Sequence, residues 1–391
     1  MHLTYPSVNE CFMVGALIAV VQFLALLVMG WRIRRRESPA AWTPALTVII
    51  PCKGTLPERC RNIRSMVLQG YKGPVEFLLV AQSREDPAFA EMQQLEREDT
   101  AGRVRALASG VKSATCAGKN ADLVHAVEHA ATASEVLVFS EDKHWAPAGW
   151  LAALVTGLSP VGVGVASSLP LPFPKGRDAA GLWFSAWYLI CVPYFYVCSW
   201  VSAASFAIRR RDYEDWKVSK HWLRAVTDDG VMTVLAKRHR KHIAAVPDAV
   251  GLIDRRLTPR RIIDITTRYV FCTRLFTPWA WLFSGACVLA KGVILVRALW
   301  PAPQPALLAL LAVSELGFPA GIAFFSALRF PLWKERWPEQ WRPVWVWTAL
   351  AAPAAWALFL ANYCMSAFSR QTNWAGVRYK ARGPYEIEVL D

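Results

Sequence analysis

The sequence predicts an α/β domain with a mainly parallel sheet, set between one hydrophobic helix in front and several behind. Three observations carry this. Between about residues 45 and 250, β-branched runs alternate with polar, helix-like stretches. A twenty-residue run without a charge, Cys11 to Gly30, precedes them, and apolar character returns after residue 270.

The leading run, CFMVGALIAVVQFLALLVMG, is long enough to cross a hydrocarbon core at about 1.5 Å per residue. It ends in Trp31-Arg32-Ile33-Arg34-Arg35-Arg36 and not in small residues, so it reads as a retained anchor and not a cleaved signal. The basic cluster holds that end in the cytoplasm, which makes the following domain face the cytosol. The chain is 54% hydrophobic yet carries a net charge of +14. Both fit if apolar residues lie in spans and basic ones at the cytoplasmic membrane surface. The arginines cluster beside apolar runs and not along one soluble face, so the charge points to a membrane and to no nucleic acid. The nine cysteines form no CxxC pair and no metal spacing, and read as reduced, small buried residues.

Behind the domain, spans are expected at 277–297, 305–327 and 344–366, with tryptophans gathered near their ends. Three full crossings would put the tail outside, against the preference of Arg370, Arg378, Lys380 and Arg382. One segment is therefore expected to lie in the interface or re-enter, and 277–297, interrupted by Pro278 and Lys291, is the suspect. The aromatic stretch 181–208 is expected to be an interfacial helix plus a buried strand lining a lipid route, because Pro193 would break a spanning helix; simple core packing is its alternative. The expected division is an anchor at 1–36, a soluble domain at 37–270, and a C-terminal membrane region with a tail at 271–391.

Within the domain, Leu46 to Pro51 is a β-branched run ended by proline, the pattern of a buried parallel strand. A helix is expected from Glu58 to Leu68 and a second strand from Val75 to Val80. Residues 119–131 predict another helix, and Glu135 to Phe139 a third strand. In such sheets ligands bind beyond the carboxyl ends of the strands. Three polar segments fall there: Pro51-Cys52-Lys53-Gly54, Gln82-Ser83-Arg84-Glu85-Asp86-Pro87 and Ser140-Glu141-Asp142. Their convergence on one crevice is the main functional signal.

In that order of motifs, with GKN at Gly118-Lys119-Asn120, TDD at Thr227-Asp228-Asp229 and an Arg268-Tyr269 pair, the chain resembles family 2-type glycosyltransferases. More narrowly it is similar to the family 21-type group of ceramide glucosyltransferases and hopanoid-associated glycosyltransferases. The likeness includes the anchor and a Trp374, Gly376, Tyr379 tail. It implies a cytosol-facing GT-A fold that passes a sugar from a nucleotide-sugar, commonly a UDP-sugar, to a membrane lipid. The group's first acidic position, which contacts the base, falls at Ser83, with Glu85 and Asp86 just beyond. Its DxD falls on Ser140-Glu141-Asp142 without the leading Asp. Its catalytic Asp matches Asp229, and its terminal motif keeps Arg268 but has Tyr269 for Trp.

These matches set the expected chemistry. Asp142 would help hold Mg²⁺ or Mn²⁺ against the leaving diphosphate. Asp229, beside Asp228, would take the acceptor's proton, while Thr227 or Asp228 caps the helix that follows. Arg268 would clamp the diphosphate with Tyr269 packing on donor or acceptor; the alternative is an interfacial anchor. Lys53 and Lys119 are expected nucleotide contacts, the latter opening a helix, along with Pro51, Gly54, Ser83, Glu85, Ser140 and Glu141. The basic run 237–242 reads as a solvated or lipid-headgroup face. The altered motifs also fit a catalytically degraded membrane subunit; a processive polysaccharide synthase is a further alternative, but it would want an intact terminal motif and more spans to build a channel.

Overall fold

In the computed structural model, which describes residues 6–34, 42–172, 174–374 and 376–390, the β-branched run after the anchor lies inside a sheet. The chain opens with helix α1 (Val8–Arg34). It then alternates through β1 (Leu46–Pro51), α2 (Arg59–Val67), β2 (Val75–Ala81), α3 (Pro87–Glu98), β3 (Val104–Ala108) and α4 (Gly118–Glu128). Next come β4 (Val136–Ser140), α5 (Trp150–Leu158), β5 (Val163–Ser167), β6 (Leu171–Pro172), α6 (Ala179–Cys198), β7 (Ser205–Arg209), α7 (Arg210–Asp215) and α8 (Val218–Trp222). They are followed by α9 (Asp228–Arg238), β8 (His242–Ala245) and β9 (Leu252–Ile253). Six helices follow: α10 (Pro259–Phe276), α11 (Pro278–Leu299), α12 (Pro305–Ala312), α13 (Phe318–Arg329), α14 (Pro331–Arg336) and α15 (Val344–Phe368). The chain closes with β10 (Gln371–Trp374), β11 (Val377–Gly383) and β12 (Glu386–Val389).

Contacts divide the chain into two units that interleave in sequence. A sheet unit comprises Arg35–Pro172, Cys198–Arg255 and Arg370–Asp391; a helical unit comprises Met1–Arg34, Phe173–Val197 and Arg256–Ser369.

The sheet unit has seven strands in the order β3-β2-β1-β4-β7-β5-β8. β1 runs parallel to both β2 and β4, and β7 is antiparallel to β4 and β5. β1 and β4 are apolar apart from Thr47 and Ser140, because helices or aromatic side chains cover both faces. On one face Ile63 of α2, Met92 of α3 and Leu154 of α5 pack with Val48, Ile50 and Phe77. On the β4–β7 strands Phe139 stacks on Phe206 with centroids 4.9 Å apart, and Trp222 meets Phe139 edge-on at 5.0 Å. The Trp222 indole N–H also donates to the Asp228 carbonyl at 3.1 Å, so core packing reaches the start of α9. The predicted α/β class with a mainly parallel sheet is what the chain adopts, and the strands and helices expected at 46–51, 58–68, 75–80, 119–131 and 135–139 are present with small shifts of their ends.

The tail is also part of this unit. β10, β11 and β12 form an antiparallel sheet, with Gly376 supplying the φ of +86° at the turn between the first two. No strand is predicted there from the sequence.

In the helical unit, the spans Val8–Arg34, Ala179–Cys198, Pro278–Leu299, Pro305–Arg329 and Val344–Phe368 are long and apolar enough to cross a membrane. Three expectations need correcting. Pro193 sits inside α6 without ending it; in a buried helix neighbouring groups can serve the carbonyl it frees. Pro278 does not interrupt α11 but starts it, where its missing N–H costs nothing. Lys291 does not interrupt it either, because Glu315 pairs with its ammonium at 2.5 Å. Glu315 lies in a π-helical turn, Val313–Gly317, that joins α12 to α13, and Ser314 there donates to Gln22 Oε1 of α1 at 2.7 Å. At the end of α1, Arg32 donates to the Tyr196 carbonyl at 2.6 Å; Arg35 and Arg36 lie outside the described residues.

Candidate active site

Three loops at the carboxyl ends of β1, β2 and β4 are tied together by two residues. Asp86 caps α3: its Oδ1 accepts from the Ala88 N–H at 2.9 Å and from the Gly54 N–H at 2.8 Å. Gly54 can present that N–H because it adopts a φ of +61°. Arg59, at the start of α2, is fully buried. Its Nε donates to Asp142 Oδ2 at 2.8 Å, Nη1 to Glu91 at 2.9 Å, and Nη2 to the carbonyls of Lys53 and Gly54 at 2.9 and 2.8 Å. A planar guanidinium can make all four bonds at once. Asn62 adds a bond to the Asp142 carbonyl at 2.9 Å, and Asp142 is 3% exposed.

A second cluster centres on Lys119, at the second position of α4. Its Nζ lies 3.0 Å from Glu141 Oε1 and 3.1 Å from Asp228 Oδ2, and Lys143 Nζ stands 3.8 Å from Glu141. Asn120 fixes the loop before α9 by donating to the carbonyls of Trp222 and Ala225 at 3.1 and 2.9 Å. Thr227 is the N-cap of α9, accepting from the Gly230 N–H at 3.3 Å. Asp229 accepts from the Gly230 N–H at 2.7 Å, from the Ala203 N–H at 3.1 Å and from the Thr227 hydroxyl. The Glu141 N–H donates to the Ala204 carbonyl at 3.3 Å, so one turn braces both Glu141 and Asp229.

Burial alone would pull Lys119 down, but Asp228 and Glu141 outweigh it and hold the ammonium above the ordinary lysine range. Burial pushes Asp228 up to about 6, partly offset by Lys119. Asp228 is fully buried, whereas Asp229 is partly open to solvent. The cluster thus joins a fixed cation, a shielded carboxylate and a reachable one.

The sheet unit brings together Lys119, Glu141, Asp228 and Asp229 in one cluster, and Lys53, Gly54 and Asp142 around Arg59. Pro51 ends β1, half-buried. Ser83 lies half-buried after β2 and hydrogen-bonds the exposed carboxylate of Glu85. Ser140 is buried and donates its hydroxyl to the Ala204 carbonyl at 3.0 Å. Arg268 and Tyr269 are on α10 in the helical unit, the guanidinium 5.7 Å from the neighbouring ring's centroid. Sequence reasoning missed the roles of Arg59 and Asp86. Asp86 had a usable signal, since Asp-Pro before an apolar-periodic run marks a capped helix start; Arg59 had none. Among the described residues no three His, Cys, Asp or Glu side chains form a group able to hold a metal by themselves.

The sheet, parallel at its centre with carboxylates and lysines at its carboxyl-end loops, and the match of residues 11–185 to a glycosyltransferase model together define a GT-A glycosyltransferase of the hexosyltransferase class. Its residues 11–185 match the model of glycosyl transferase family 21, a stretch that runs from the anchor through Asp142 and stops short of Asp228 and Asp229. No curated protein sequence matches the chain. Among solved structures it is similar to the mannosyltransferase PcManGT from Pyrobaculum calidifontis in complex with GDP-Man and Mn²⁺, at 16% identity and a TM-score of 0.49, covering 91% of this chain and 97% of that one. It is also similar to glucosyl-3-phosphoglycerate synthase from Mycobacterium tuberculosis in complex with Mn²⁺ and UDP-Glc (12%, TM-score 0.38, 69% and 84% covered). A third is S. aureus TarS in complex with UDP-GlcNAc (11%, TM-score 0.39, 89% and 99% covered).

Proposed function

We propose that this glycosyltransferase moves one sugar from a nucleotide-sugar, a UDP-sugar, to a hydroxyl of a membrane lipid, with its sheet unit facing the cytosol. The observation that carries the acceptor is that one chain holds both the glycosyltransferase sheet and, among the described residues, five helical spans long and apolar enough for a bilayer. An acceptor dissolved in the bilayer suits an enzyme held there.

In the transfer step the acceptor oxygen bonds to the anomeric carbon as the sugar–phosphate bond breaks, leaving its electron pair on the diphosphate. Asp229, the reachable carboxylate, takes the hydroxyl proton. Asp228 stays buried and holds Lys119, whose ammonium, with Lys53, faces the charge growing on the diphosphate. Pro51, Gly54, Ser83, Glu85, Ser140 and Glu141 frame the nucleotide-sugar from the strand ends. Arg59 occupies one oxygen of Asp142, which leaves the other for a hard divalent ion that draws the rest of its shell from water and phosphate. Bound there, Mg²⁺ or Mn²⁺ would neutralise the leaving group.

The test is to incubate membranes carrying the protein with a panel of labelled UDP-sugars, with and without Mn²⁺, and to analyse the lipid extract. One label entering lipid, more with Mn²⁺, is the expected result; an unlabelled extract with every donor contradicts it. The buried Arg59–Asp142 ion pair favours one second reading, a glycosyltransferase-like subunit without turnover. That reading predicts neither transfer nor donor hydrolysis. A product with many sugars per acceptor would instead indicate a processive synthase.

A further inference from the structure

The C-terminal strands dock on residues 114–119, which lead into α4, and Tyr385, between β11 and β12, meets the His221 ring of α8 with centroids 5.2 Å apart. The Val389 N–H donates to the Ala114 carbonyl at 3.1 Å. Tyr379, buried on β11, sets its hydroxyl against the Gly118 N–H, one of the donors that the start of a helix leaves unpaired. At the end of β10 the face of Trp374 stands 5.9 Å from Lys119 Nζ, measured to the ring centroid. The tail thus docks on the residue before Lys119 and on Lys119 itself.

We propose that these strands complete the catalytic site, with Trp374 as a positioning residue for Lys119. The ammonium is shared between Glu141 and Asp228, and a bound diphosphate would compete for the same three N–H bonds. A ring face attracts the cation without taking a directed hydrogen bond, so it fixes Nζ while leaving its donors for oxygen. It also covers the ammonium from water, which strengthens each contact that the ammonium makes. The effect on the donor rests on reading Lys119 as a diphosphate contact; the closure of Lys119 by the tail does not.

The experiment uses the full chain in detergent and has two arms. In the first, an amine-acylating reagent is applied and the rate at Lys119 is read by mass spectrometry. Trp374→Ala is expected to raise that rate about three- to tenfold, and Trp374→Phe to keep it within about twofold of the parent. An unchanged rate in the Ala variant, or equal loss of protection with Phe, overturns the proposal. If the Ala variant does not fold, Trp374→Leu keeps the apolar bulk without the ring face, and the same rise is expected. The second arm measures UDP binding, expected to weaken about three- to tenfold in the Ala variant and to recover with Phe. Lys119 unmasked as expected in a chain that never binds UDP would leave the closure standing and refute the UDP-sugar reading instead.

Discussion

Lys119 Nζ lies 3.1 Å from Asp228 Oδ2, joining the first turn of α4 to the first residue of α9 although 109 positions separate them. Both groups are withdrawn from water, so each is the other's main compensation for lost hydration. Lys119→Met is expected to destabilise the sheet unit by about 3 kcal/mol, because it leaves a buried carboxylate without its cation. The double variant Lys119→Met with Asp228→Leu should recover most of that in thermal denaturation and still fail to transfer sugar. Equal stability of the single variant and the parent would show that the pair is not coupled.

The pH profile follows from Asp228, whose pKa is raised from 3.8 to about 6. Above that value the carboxylate is charged and holds Lys119; below it the proton stays on and the ammonium loses a partner. Transfer, read as kcat/KM, should fall as pH drops through about 6, and Asp228→Asn should remove that limb. The fold binds this proton more tightly than the unfolded chain, so the group's contribution to stability grows as pH falls from about 6 towards 4. Activity and stability should therefore move in opposite directions across that window.

Arg59 and Arg64 sit five positions apart on α2 and should respond very differently. Arg59 is fully buried with Asp142, Glu91 and two carbonyls as partners, whereas Arg64 meets Glu98 at 2.9 Å with both side chains at least 40% exposed. Arg59→Met is expected to cost about 3–5 kcal/mol and Arg64→Met less than about 1 kcal/mol in denaturation of the detergent-solubilised protein. Comparable losses would remove the structural role assigned to Arg59.

Side of the membrane can be tested through the tail. Residues 370–391 belong to the sheet unit together with 35–172 and 198–255. With those residues on one side of a bilayer, an even number of crossings is expected between Arg256 and Ser369, where three spans among the described residues are apolar enough. An epitope at the C-terminus and one inserted at the Thr100–Gly102 turn should show the same protease protection in sealed vesicles. Opposite protection would contradict the tail's docking.

The core of the sheet was legible because β1, β2 and β4 each carry an apolar run, interrupted only near the start by Thr47 and Glu76, a local signal that survives into the fold. Their carboxyl ends were legible for the same reason, and with them Lys53, Glu141 and Asp142. The partners were not. Arg59, Arg61 and Arg64 look alike along the chain, and only the approach of the β4 loop decides which one is buried. Tail strands β10–β12 are short and charged, so their alternation of Val377, Tyr379 and Ala381 is weak until Gly118 supplies a contact for Tyr379. Pro193 misled because a proline is costly in an isolated helix but tolerable where packing serves the freed carbonyl. Arg268 and Tyr269 were matched by motif, and a motif says nothing of which unit their helix joins.

The central claim is that Asp229, beside the buried Lys119–Asp228 pair, takes the proton of a lipid hydroxyl. The most direct measurement compares Asp229→Asn with the parent chain in membranes supplied with a labelled UDP-sugar, counting label in the lipid extract. The account predicts at least about a hundredfold loss of transfer with the melting transition preserved. Undiminished transfer by the folded variant would contradict it.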